Sequence, residues 1–185
     1  SDFEFITEFD REDLTDEDLL KYDKDPDVHK RVSEISRRPH GFAGSLQYNY
    51  EQMSLSSVSL NLKHLEAFKR FLDQDLDFAL FLEDDCRFTN STKVETVIEQ
   101  APENWDVIFL GGAFSHGIIT PISLVGGSII YNKDSVRKIL PHMESFCVPI
   151  DWQLNYAFYK ANLNVYHTYP YLCTQGDFRS TAKDE

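Results

Sequence analysis

Apolar and polar positions along this chain switch between a period of two and a period of three to four, and the switches mark out its elements. Phe3-Glu4-Phe5-Ile6 reads as a short strand. Thr15-Asp16-Glu17-Asp18 has the composition of a helix start, with Thr15 as N-cap and acids in the first turn. Residues 23–57 are polar and broken by Pro26, Pro39, Gly41 and Gly44, so they read mainly as loop, with one helix over 27–37. Across 58–72, Leu65, Phe68, Phe71 and Leu72 recur at helical spacing. The run Phe78-Ala79-Leu80-Phe81-Leu82 then reads as a buried strand that ends abruptly in Glu83-Asp84-Asp85.

The same alternation continues to the end of the chain. A helix is expected over 94–98, and Trp105-Asp106-Val107-Ile108-Phe109-Leu110 is a second buried strand closed by Gly111-Gly112. Gly126-Gly127 precedes a third strand over 128–131, and Asn132 can cap a helix that Pro141 stops. Pro149 and Asp151 open a helix over 152–161, and a last strand over 164–168 leads into Pro170 and a polar tail. Strands alternating with helices predict an α/β layer fold. A length of 185 residues fits a single domain with a real core. A loop as long as 23–57 in such a domain is usually functional.

Composition sharpens this picture. Hydrophobic residues make up 42% of the chain and aromatics 14%, as in a globular protein. A formal charge of −13 argues against a nucleic-acid-binding surface, which clusters Lys and Arg. It leaves a phosphate-bearing ligand open, because a bound divalent metal reverses the local field. Much of the negative charge precedes residue 30, from Glu4, Glu8 and Asp10 onward. Cys86, Cys147 and Cys173 are scattered and odd in number, which predicts reduced thiols and a cytoplasmic setting. No signal-peptide pattern opens the chain, and no stretch approaches the roughly 20 apolar residues of a membrane span.

The acids after the 78–82 run carry the first chemical suggestion. Strand ends of open α/β sheets line ligand crevices. Residues two apart on a strand share a face, so Glu83 and Asp85 would point the same way, with Asp84 opposite. Two such carboxylates repel unless a cation joins them, and hard oxygen ligands favour Mg²⁺ or Mn²⁺. The plain alternative is a solvated acidic turn. Four segments would converge if their strand ends do: Glu83-Asp84-Asp85, Gly111-Gly112, Pro149-Ile150-Asp151, and Gln175 with Asp177. Such a site suits group transfer from a phosphate, with a metal on the departing diphosphate and Asp151 as the base. Asp151 reads equally as a helix-start acid. His64 reads as a satisfied core histidine unless it joins the site, and His116 and His167 say less. No P-loop, G-x-G-x-x-G or Ser/His/Asp order appears.

The order of segments resembles glycosyltransferase family 25, which includes lipooligosaccharide and collagen galactosyltransferases. The matching residues are Leu62-Lys63-His64 with Phe68, Leu80-Phe81-Leu82-Glu83-Asp84-Asp85, and Trp105-Asp106 through Leu110-Gly111. They continue with residues 129–140, Pro149-Ile150-Asp151, and Tyr169 through Gln175. The resemblance covers residues 58–180. It implies a GT-A architecture, a Rossmann-like mixed sheet flanked by helices that binds a UDP-linked sugar with Mn²⁺ (or Mg²⁺). By position it implies Asp85 and Glu83 as metal ligands and Asp151 as the base of an inverting transfer. Asp84, Gly111, Gly112, His64 and Gln175 would line the donor site. The partners implied are a nucleotide sugar and a glycan or glycoprotein acceptor.

Three positions depart from the family pattern: Lys63 stands for its serine, Ser59 for its glycine and Phe68 for its tryptophan. The family's opening strand and basic helix have no counterpart here. These departures keep a second reading in view, a non-catalytic relative that binds a carbohydrate or a partner. A different metal-dependent phosphotransfer or hydrolase site is the third. Acceptor contacts are expected from residues 23–57 and 114–121.

Overall fold

The computed structural model describes residues 3–22, 53–89, 91, 93–111, 127–146 and 148–176. Helix α1 (Asp16–Tyr22) begins as its acids require. The Thr15 N–H and hydroxyl both donate to the Asp18 carboxylate at 2.9 Å, a local bond that fixes the first turn. Helix α2 (Leu55–Asp73) starts earlier than its apolar stripe, because Ser54 accepts from the Ser57 N–H as N-cap. Residues 55–57 therefore belong to a helix and not to the loop expected there. The helix expected over 27–37 lies outside the described residues.

Among the described residues, four strands form one mixed sheet: β1 (Phe78–Leu82), β3 (Val107–Phe109), β4 (Ser128–Asn132) and β5 (Val165–His167). Their order is β1-β4-β3-β5, with β4 antiparallel to both neighbours and β3 parallel to β5. The C-terminal ends of β1, β3 and β5 and the start of β4 therefore share one end of the sheet. Side chains alternate faces as a pleat demands. Phe81, Ile129, Tyr131, Val107 and Phe109 pack against α2, α4 (Lys133–Met143) and α5 (Ile150–Lys160). Ile108, Leu110 and Ile130 face the other way, onto α3 (Val94–Gln100) and onto Leu172 and Cys173.

Several expectations are corrected. Among the described residues β1 lies at the edge of the sheet and its Phe78 and Leu82 are exposed, whereas the central β3 and most of β4 are buried. Residues 3–6 form no strand. The segment lies along α2 instead, and Ser59 donates its hydroxyl to the Phe9 carbonyl at 2.6 Å. Helix α4 passes Pro141 and ends at Met143, since a proline in the last turn forfeits one N–H bond and Glu144 still donates to the Leu140 carbonyl. Helix α5 ends in a left-handed Asn162, where the Leu163 N–H donates to the Phe158 carbonyl at 3.0 Å.

The expected polar tail is also structured. β6 (Cys173–Gln175) pairs antiparallel with β2 (Cys86–Phe88), a ribbon absent from the sequence reading. Its register sets Cys86 opposite Gln175 and Phe88 opposite Cys173, so the two cysteines are diagonal neighbours with Cα atoms 6.4 Å apart. They form a disulfide across a sequence separation of 87, which corrects the expectation of reduced thiols at these positions. Cys147 lies outside the described residues. No helix among the described residues is long and apolar enough to cross a membrane.

Candidate functional site

The end of β1 sets the geometry. The Glu83 N–H donates to the Gly127 carbonyl at 2.9 Å, which continues the β1–β4 ladder one residue past the strand. The chain then turns back, with the Cys86 N–H on the Glu83 carbonyl at 3.1 Å and Asp84 at an exposed corner. The three acids thus sit on a turn and not on the strand itself, so pleat alternation does not orient them. What joins them is Gly127. A Cβ built on that glycine would lie 3.8 Å from Glu83 Oε2, 4.0 Å from Asp85 Oδ1 and 3.7 Å from Gln175 Cγ. Two carboxylates and one carboxamide side chain surround a bare stretch of backbone.

The ribbon brings Gln175 there. The Gly176 N–H donates to the Asp85 carbonyl at 2.7 Å, tying the end of β6 to the acid turn. The Leu172 and Cys173 N–H groups both donate to the Leu110 carbonyl, at 2.7 and 3.1 Å, and so dock the ribbon on the end of β3. Gly111 makes this approach possible: a Cβ there would meet the Cys173 carbonyl oxygen at 2.3 Å. Gly111, expected to line the donor site, is buried here against the protein's own backbone. Gly112, Gly126 and Asp177 lie outside the described residues.

Asp85 is electrostatically the least comfortable acid of the group. Its Oδ1 is buried and finds no hydrogen-bond partner among the described residues. Burial pushes its carboxyl above the usual range, and the charges of Glu83 and Asp84 push it further. An added cation would relieve all three causes. Glu83 and Asp85 offer hard oxygens beside one backbone point, a donor type that suits Mn²⁺ or Mg²⁺. No group of three or more His, Cys, Asp and Glu is arranged to hold a metal among the described residues. The protein side would therefore supply a partial set.

On the helical side of the sheet, buried His64 places Nε2 3.8 Å from Glu83 Oε1, and its Nδ1 has no hydrogen-bond partner among the described residues. That separation is an ion-pair distance and too long for a hydrogen bond. Asp151 stands in the first turn of α5, partly exposed. Its field reaches this side of the sheet: burial first, then Glu83 and Asp151, hold the Tyr131 phenol well above its usual range. The sequence reading overlooked Tyr131. Its hydroxyl is fully buried without a partner among the described residues, and its ring packs against Phe68 at 5.2 Å and Phe81 at 5.1 Å. Its place on the Ile129 face of β4 was the available signal.

Other residues are accounted for structurally. Lys63 pairs with Asp10. His167 stacks on Phe109 with centroids 4.8 Å apart. Asp106 accepts from the Asn164 N–H at 2.9 Å and from Lys138 at 3.2 Å, far from the acid turn along β3. No protein-family model matches the chain, and no curated protein sequence matches it either.

Proposed function

We propose that this chain is a metal-dependent glycosyltransferase domain of GT-A type. It moves a hexose from a UDP-linked donor to a hydroxyl of a glycan or glycoprotein acceptor, with inversion. The observation that carries this reading is the meeting of Glu83, Asp85 and Gln175 over Gly127, with Asp85 Oδ1 buried and unpartnered among the described residues. The ordered resemblance to glycosyltransferase family 25 supplies the reaction class.

In this reading Asp85 and Glu83 would hold the cation, and Gln175 would lie beside the diphosphate. A bound Mn²⁺ or Mg²⁺ supplies positive charge that offsets the charge developing on the diphosphate. His64, against Glu83, limits where that carboxylate can swing. Asp151 takes the proton of the acceptor hydroxyl as its oxygen bonds to the anomeric carbon. The bond from that carbon to the diphosphate oxygen breaks in the same displacement, and its electron pair leaves with the diphosphate. The Cys86–Cys173 bridge supports an oxidising compartment over the cytoplasmic one expected from cysteine count.

Titration calorimetry with UDP, with and without Mn²⁺, tests the reading directly. Metal-linked nucleotide affinity is expected, and nucleotide affinity indifferent to the metal would sink it. A second reading, a non-catalytic relative that binds a carbohydrate, draws on two observations. No three-ligand group is arranged among the described residues, and Lys63 is engaged by Asp10 instead of being free for a phosphate. That relative would bind glycans without any metal requirement.

A further inference from the structure

Two of the groups assigned above depend on a ribbon that is too short to stand alone. β2 and β6 share three register pairs, and a two-stranded ribbon is marginal in water even when longer. Its first strand begins directly after Asp85, and its second ends on Gln175. The Cys86–Cys173 disulfide crosses it between these two points, so each sulfur lies within two residues of a site side chain. On one side the ribbon is fastened by the Leu110 carbonyl and by Gly111, into whose side-chain space the Cys173 carbonyl projects. On the other it holds the acid turn through the Gly176 bond to the Asp85 carbonyl. The larger hydrophobic cluster, around Phe68, Tyr131, Ile139 and Phe158, lies on the opposite face of the sheet and contains neither cysteine.

We propose that the Cys86–Cys173 disulfide is the positioning element of this site: Asp85 and Gln175 are held over Gly127 only while the bridge is oxidised. The ligand-binding part of this inference rests on the proposed function; the ordering of the ribbon does not. Cys86 is partly exposed and Cys173 buried, so a small thiol would approach the bridge from the Cys86 side. A dithiol reductant attacks one sulfur as its thiolate, and its second thiolate resolves the mixed disulfide. The S–S bond breaks, the dithiol gives two electrons and two protons that convert Cys86 and Cys173 to thiols, and the reductant departs as a cyclic disulfide. The acid turn and β6 then separate, while the helix-side core keeps its packing.

Hydrogen exchange on the full chain, oxidised and after dithiothreitol, reads this directly. Exchange at residues 83–89 and 171–176 is expected to speed up by about tenfold or more on reduction, with residues 58–71 and 129–143 unchanged. Mn²⁺ affinity should fall by roughly tenfold to a hundredfold and return on reoxidation. The Cys86→Ser/Cys173→Ser variant should behave as the reduced chain does. Unchanged exchange at 83–89 after reduction would overturn the proposal. So would equal loosening of 58–71, which would make the bridge a general staple. If the oxidised chain binds no Mn²⁺, the proposed function fails, and the exchange comparison still decides the positioning claim.

Discussion

The acids of the amino-terminal segment and the acids behind β1 carry the same charge and meet opposite surroundings. Glu4 accepts from Arg70 at 2.7 Å, Glu8 pairs with the same guanidinium, and Asp10 pairs with Lys63, so the segment is laced along α2. Backbone N–H groups, and then Arg70, hold the Glu8 carboxyl below its usual range. Behind β1 the signs reverse. Asp85 is pushed upward by burial and by two neighbouring carboxylates, and one of its oxygens has no partner among the described residues. An acidic run that brings its own cations is a fastening. Asp85, crowded by its neighbours' charge, would gain from a cation, as the proposed function requires. Net charge cannot separate the two; pairing does.

The largest test of this contrast is Asp85→Ala. On the proposed function it should cut Mn²⁺-linked UDP binding on the order of a hundredfold or more by calorimetry, because it would remove one of the two proposed metal ligands. Unchanged binding would return the turn to the class of solvated acids. Next comes Gly111→Ala, which drives a methyl into the Cys173 carbonyl. Overpacking there should destabilise the fold by about 1–3 kcal/mol in urea denaturation, and Gln175 should lose its place over Gly127.

The pH dependence supplies a smaller effect with a definite sign. Glu8, with its folded-state pKa lowered, stabilises the fold above its unfolded pKa, and that stability is lost as pH falls through the lowered folded value. Asp85, with its folded-state pKa raised, does the reverse. Ionised Asp85 costs stability at neutral pH, and the cost is relieved as pH falls through its raised folded value toward the unfolded one. Asp85→Asn should therefore raise Tm at neutral pH without metal and, on the proposed function, abolish the further rise expected from Mn²⁺. Glu8→Gln should lower Tm at neutral pH or leave it level. The smallest effect is expected from Lys63→Ala, which breaks an exposed pair with Asp10. Its Tm should stay close to the wild-type value and its Mn²⁺ affinity should not change.

Legibility followed range. The stripe of α2, the apolar runs of β1, β3 and β4, and the Asn132 cap were all readable, because each is a contact between residues a few positions apart. The Asn132 side chain does accept from the Ser135 N–H, at 2.7 Å. Residues 173–175 were read as tail because three residues of mixed polarity show no period; they become a strand only when Cys86–Phe88 lies alongside. The same blindness hid the disulfide, although each cysteine adjoins a segment already marked for chemistry. At the site, Glu83 and Asp85 were paired for a reason the turn does not support, the alternation of a strand. They meet because both approach Gly127, a position whose neighbours come from β1, its following turn and β6.

By itself, then, the sequence determined the main helices and the apolar strands of the larger sheet, the alternation that makes an α/β layer fold, and the placing of three acids just past an apolar run. Those properties depend on local period and composition, which a chain carries wherever it goes. Tertiary structure decided which apolar strand lies at the sheet edge, which acids receive a cation from the protein, and what stands beside Gly127. It also made Gly111 a seat for the ribbon. Each of these is settled by contacts between distant residues, and burial acquires its electrostatic consequence only after those contacts form.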